Sequence, residues 1–228
     1  MTTSTARTRG LPLALAGLIA LLAALVALGV SGGERADAHR SPKAHDRITK
    51  QELAFRNEMR RLWEDHITWT RMVIVSFAAD LPDLDPALQR LLANQRDIGD
   101  AIEPFYGEAA GDRLTALLRE HILIAADVLA AAKAGDADAL ADAQDRWYAN
   151  ADEIAAFLAA ADPRNWPEAE MRAMLREHLD LTTQEAVARL TGDWDADIAA
   201  YDAIHGQALE MADMLSTAIV DRFPKRFR

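Results

Sequence analysis

Three histidines carry the chemistry this sequence can be expected to do. His66 closes Trp63-Glu64-Asp65-His66, His121 closes Leu118-Arg119-Glu120-His121 and His178 closes Leu175-Arg176-Glu177-His178. Downstream of each stands an amide followed three residues later by an acid: Asn94 with Asp97, Asn150 with Glu153, and Gln207 with Glu210. Imidazole and carboxylate facing each other inside a protein can ligate a transition metal such as zinc, copper or iron. They can act as an acid-base pair, the carboxylate orienting the ring. They can also satisfy each other as a polar layer of the core. The metal reading takes His66, His121, His178, Asp97, Glu153 and Glu210 as ligands, with Asn94, Asn150 and Gln207 orienting them.

The elements that must position these residues follow from a repeat. Residues 118–158 lie over residues 175–215 at a constant offset of 57, and Gly135-Asp136-x-Asp138 falls on Gly192-Asp193-x-Asp195. An earlier, looser copy rebuilds the turn as Asp83-x-Asp85-Pro86. Self-similarity at this period implies clustered supersecondary units. Apolar residues recur at three- and four-residue steps, and no strand pattern competes. The expected fold is therefore all-α, a six-helix bundle of three pseudo-repeated antiparallel hairpins at about 48–103, 111–161 and 167–222.

The helix boundaries are written in turn chemistry. The first helix should stop before Leu81-Pro82 and the second start at Asp85-Pro86, an N-cap with proline at the first helical position, and end before Pro104. Phe105-Tyr106-Gly107 reads as a turn. The third helix should run from about Gly111 to Gly135 and the fourth from an Asp136 or Asp138 cap to about Ala161. Asn165-Trp166-Pro167 opens the fifth, and Asp193 or Asp195 caps the sixth.

On such helices His66 shares a face with Met59, Leu62, Trp69 and Val73, His121 with Leu114, Leu117, Ile124 and Val128, and His178 with Met171, Met174 and Leu181. All three histidines should point inward. Counting residues on either side of each turn pairs His66 with Asp97, His121 with Glu153 and His178 with Glu210, each with its amide one turn away. Repetition of both ligand types favours a metal. The absence of Glu-x-x-His or His-x-x-x-His on any one helix argues against a di-iron bundle. Clustering about a threefold axis would bring the three imidazoles together in a trigonal arrangement suited to zinc or copper, whereas stacking in a row would keep the pairs apart.

The 228 residues are half apolar (50%) with a formal charge of -11, which opposes nucleic-acid binding, and the lack of cysteine excludes disulfides and thiolate sites. No glycine-rich phosphate loop follows a strand, so no nucleotide cofactor is expected. Residues 11–30 are uncharged and follow Arg7 and Arg9, so residues 1–38 read as a signal peptide or an uncleaved signal anchor that holds the body outside the cytoplasmic membrane. Ala36-Asp37-Ala38 offers a cleavage site. Cleavage there would leave His39 as an amino-terminal copper chelator that His45 could assist.

Residues 39–47 read as a mobile linker and residues 223–228 as a basic tail that is frayed or touches anionic lipid. Asp65, Glu120 and Glu177 point about 100° away from their histidines and read as solvated charges. His205 has no repeat partner, Tyr148 standing in its place. Trp63, Trp69, Trp147, Trp166 and Trp194 read as packing, and Arg71, inside an apolar run, should pair with an acid of a neighbouring helix.

The run from Leu62 through Trp63-Glu64-Asp65-His66 to Trp69-Thr70-Arg71, with Pro104-Phe105-Tyr106-Gly107, Trp147-Tyr148-x-Asn150-Ala151-Asp152 and Glu177-His178-Leu179-x-Leu181-Thr182, resembles an uncharacterised bacterial family of exported helical proteins. The likeness covers roughly residues 62–223. It implies an all-helical fold and transfers no activity or catalytic residue. A binding protein, a structural or interaction module of the bacterial envelope, and a metal-dependent enzyme at the same residues all remain open.

Overall fold

The computed structural model describes residues 48–228, so the expectations for the export segment and linker, His39 and His45 among them, lie outside the described residues. Six helices account for nearly all of it: α1 (Lys50–Ala78), α2 (Leu84–Tyr106), α3 (Glu108–Ala134), α4 (Ala137–Ala161), α5 (Glu168–Thr191) and α6 (Trp194–Arg222). A 3-10 turn, Pro224–Phe227, follows. Among the described residues there is no strand, and no helix is long and apolar enough to cross a membrane.

Each helix packs on the next, α6 returns to α1, and α1, α3 and α5 also meet one another. The three histidine-bearing helices thus touch within a closed ring of six. The turns are built by capping. Gly135 and Gly192 take the left-handed conformation (φ 70 and φ 76) that ends α3 and α5. Asp136 and Asp193 then accept from the amides of Ala139 (3.0 Å) and Ala196 (3.1 Å). After α1 the left-handed place falls to Asp80 (φ 53), clamped by Lys133, whose ammonium donates to the Phe77 carbonyl (2.7 Å) and the Asp80 carboxylate (2.6 Å).

Several boundaries differ from expectation. Helix α2 starts at Leu84, and Asp83 in the capping position accepts from buried Ser76 Oγ (2.8 Å) instead of capping. Asp85 and Pro86 fall within the first turn, where a missing N–H costs nothing. Pro104 lies inside α2 near its end, and a single residue, Gly107 (φ 90), joins α2 to a helix that starts three residues before Gly111. This tight joint forces close packing: a Cβ on Gly99 would fall 2.0 Å from Thr115 Oγ1 and 2.7 Å from the Gly111 carbonyl. The tail is not frayed. Phe227 is buried and stacks on Phe105 (5.5 Å) beside Phe55, because the aromatic side chains outweigh the exposed Lys225 and Arg226.

Arg71 finds its acids, as its apolar surroundings require. It donates to Glu185 on α5 (2.9 Å) and to both carboxylate oxygens of Asp197 on α6, and Arg189 adds a bond to Asp197 (3.2 Å). Both carboxylates are 1% exposed. Burial raises the pKa of Glu185 despite Arg71, whereas at Asp197 the two arginines outweigh burial and lower it. Removing the arginine strands buried Glu185 and leaves Asp197 to Arg189 alone. Arg71→Met should therefore lower the unfolding free energy by about 3–5 kcal/mol, read from the urea midpoint at neutral pH.

Candidate functional site: a histidine layer in the core

The inward spacing puts His66 on α1, His121 on α3 and His178 on α5 into one buried layer, each 5% exposed. The rings of His66 and His178 lie 5.7 Å apart, centroid to centroid, inclined by 37°. On either side of the layer lies apolar space. One turn toward the N-termini of the three helices is a cavity of ≈ 30 Å³ lined by Met59, Trp63, Leu118, Met174, Leu175 and Met211 among others. One turn the other way is a cavity of ≈ 50 Å³, walled by Thr70, Ile122, Ala125, Trp147 and Thr182 among others.

Amides, rather than acids, face the imidazoles. Asn150 Nδ2 donates to the Leu117 carbonyl (3.3 Å), which leaves its oxygen for His121 Nδ1 at 2.8 Å. Gln207 Nε2 donates to the Met174 carbonyl (3.1 Å), which leaves its oxygen for His178 Nδ1 at 3.0 Å. An amide oxygen can only accept, so in both histidines Nδ1 carries the proton and Nε2 the lone pair. His121 Nε2 accepts from the Trp147 indole N–H (3.1 Å), which agrees with that tautomer. Among the described residues His178 Nε2 has no hydrogen-bond partner.

His66 departs from the pattern. Asn94 repeats the backbone anchor, Nδ2 to the Leu62 carbonyl at 3.0 Å, but Gln95 intrudes. Its Nε2 lies 3.2 Å from His66 Nδ1 while donating to the Leu91 carbonyl (2.8 Å) and Asn94 Oδ1 (3.2 Å), and its own oxygen is buried without a partner.

Burial is the main force on these rings. It pushes His66 down to about 3, helped by His178 and His121 and opposed by Asn94 and Gln95. It pushes His121 down to about 4 against the Asn150 bond, and lowers His178 against Gln207. All three are neutral at pH 7, and no carboxylate acts on any of them.

The expected pairing of His66 with Asp97, His121 with Glu153 and His178 with Glu210 is corrected. Asp97 lies half-exposed, 3.6 Å from Arg90; Glu153 is exposed against Arg113; Glu210 is exposed. The amide is the residue level with the histidine, and the acid three residues on is rotated about 60° away and raised a turn. Asp65 binds Arg61 (2.9 Å) and Arg90 (3.1 Å), and Glu120 and Glu177 face solvent. His205 pairs with Glu64 (2.8 Å) at the surface. As they stand, no three His, Asp or Glu side chains among the described residues form a metal-holding group.

Trp147 and Gln95 were missed as site residues, although the repeat marks both. At their counterpart positions stand Leu91 and Ile204 for Trp147, and Ala151 and Ala208 for Gln95. No family model matches the chain, no curated protein does, and no solved structure does.

Below about pH 6.5 the unfolded chain protonates these histidines while the folded layer stays neutral down to about 3 at His66 and about 4 at His121, so stability falls as pH falls through that window. By pH 5 the loss should reach about 2 kcal/mol for each of His66 and His121. Urea midpoints measured from pH 8 to pH 5 check this, and His121→Leu should flatten the slope.

Proposed function

We propose that this protein is a transition-metal-binding helical bundle whose ligands are His66, His121 and His178. The proposal treats the chain as three pseudo-repeated hairpins set about a common axis, each contributing one imidazole. The observation that carries it is the orientation of the rings. In the sequence copies holding His121 and His178, an amide anchored to the backbone takes the Nδ1 proton and leaves Nε2 as the lone-pair nitrogen. Metal-ligating histidines are held in this way, through a fixed partner on the other ring nitrogen. Low pKa values help as well, because a metal then displaces no proton from the imidazoles.

In this reading Asn150 and Gln207, with Asn94 in the first copy, are orienting groups. Asp97, Glu153 and Glu210 have no ligand role in it, since they face outward against arginines or solvent. His121 joins the centre by exchanging its Trp147 bond for the metal, with the cavity beside Trp147 giving the indole room to turn. The function is binding rather than catalysis, at the outer face of the membrane or beyond it, as Arg7, Arg9 and the apolar residues 11–30 suggest.

A second reading, a purely structural polar layer, is favoured by one observation: both nitrogens of His121 already have partners. Metal content decides between them. The full chain, purified without a histidine tag and incubated with copper, zinc and iron salts, should hold about one metal per chain. A His66→Ala, His121→Ala, His178→Ala variant that keeps its helical circular dichroism should hold none. A metal-free parent after incubation would leave only the structural layer.

A further inference from the structure

We propose that the metal is monovalent copper, Cu(I), held chiefly between His66 and His178. The inference rests on the reading of the layer as a metal centre and goes further in naming the ion and the pair. Two features of the core point to it.

The first is charge. The three rings are neutral, their partners Asn94, Gln95, Asn150, Gln207 and Trp147 are neutral, and the carboxylates nearest in sequence face outward. The buried acids Glu185 and Asp197 are committed to Arg71 and Arg189. A divalent ion in this layer would sit in an apolar core with two charges that no neighbouring carboxylate compensates, at a large desolvation cost. A monovalent ion carries half the charge, and its penalty is correspondingly far smaller.

The second is coordination number. Two imidazoles bound through nitrogen at about 2 Å from one ion place their ring centroids about 5–6 Å apart. The His66 and His178 ring centroids already lie 5.7 Å apart, whereas no third His, Asp or Glu ligand joins them among the described residues. Zinc asks for four ligands. Cu(I), a soft ion, is content with a pair of imidazoles and a thioether, and the methionines Met59, Met174 and Met211 line the cavity one turn away. Within the pair, His178 offers its free Nε2. His66 does so once Gln95 turns its amide over, giving its orphaned oxygen to the Nδ1 proton at the cost of its bonds to the Leu91 carbonyl and to Asn94 Oδ1.

The test titrates the full chain anaerobically, under reductant, with Cu(I) against the chromophoric chelator bicinchoninate, and separately with Zn(II) against a zinc indicator. One Cu(I) per chain should be held at least about 1000-fold more tightly than Zn(II). His66→Gln and His178→Gln should each weaken Cu(I) by more than about 100-fold, and His121→Gln by less than about tenfold. Helical circular dichroism confirms that each variant is folded. Zinc bound as tightly as copper, or His121→Gln as damaging as the other two, would overturn the copper pair and leave a three-histidine centre standing. Neither ion bound by the folded parent would overturn both.

Discussion

The bond on which the rest of this structure depends is the one between a histidine Nδ1–H and the oxygen of an amide anchored on the neighbouring helix. A neutral imidazole in an apolar core needs a partner for its N–H, since an unpaired buried donor costs roughly 1–3 kcal/mol. Asn150 and Gln207 supply it, and each spends its own N–H on a backbone carbonyl one turn before the histidine. That bond ties three things together. It fixes the register of the α3–α4 and α5–α6 pairs, sets the tautomer of the ring, and leaves Nε2 as the lone-pair nitrogen. Register, tautomer and the proposed chemistry share one origin.

The carboxylates illustrate the opposite solution. Acids in the core need partners: buried Glu185 and Asp197 have Arg71 and Arg189, and buried Asp162 accepts from the Asn165 side chain. The histidine layer has no charged partner and stays uncharged. The same bundle thus holds two buried polar clusters of different kinds: an ionic clasp joining α1, α5 and α6, and a neutral layer where α1, α3 and α5 meet.

Much of this was legible in the sequence. The all-α class followed from apolar spacing, and the turns at Gly135-Asp136 and Gly192-Asp193 from the repeat. The inward faces of His66, His121 and His178 followed from their neighbours one turn away. Arg71's need for acids was legible from the apolar run around it. The partner of each histidine was misjudged because amide and acid stand only three residues apart, and counting along two helices does not resolve one turn. Height alone favours the amide; charge preference favours the acid, and solvent won the acid. Pro104 and Pro86 misled because a proline near a helix end removes no bond that the helix makes. Trp147 and Gln95 escaped notice because attention fell on what the copies share, whereas these two act where the copies differ.

The central claim is that three neutral imidazoles occupy the core, with Nε2 of His121 and His178 as the lone-pair nitrogen. Long-range proton-nitrogen NMR correlation of the imidazole rings reads tautomer and charge directly. The account predicts that His121 and His178 carry their proton on Nδ1, that His66 and His121 remain neutral at pH 5.5, and that His178 protonates only below the ordinary imidazole range. Layer histidines that protonate near pH 6.5, or Nε2–H tautomers at His121 and His178, would contradict it.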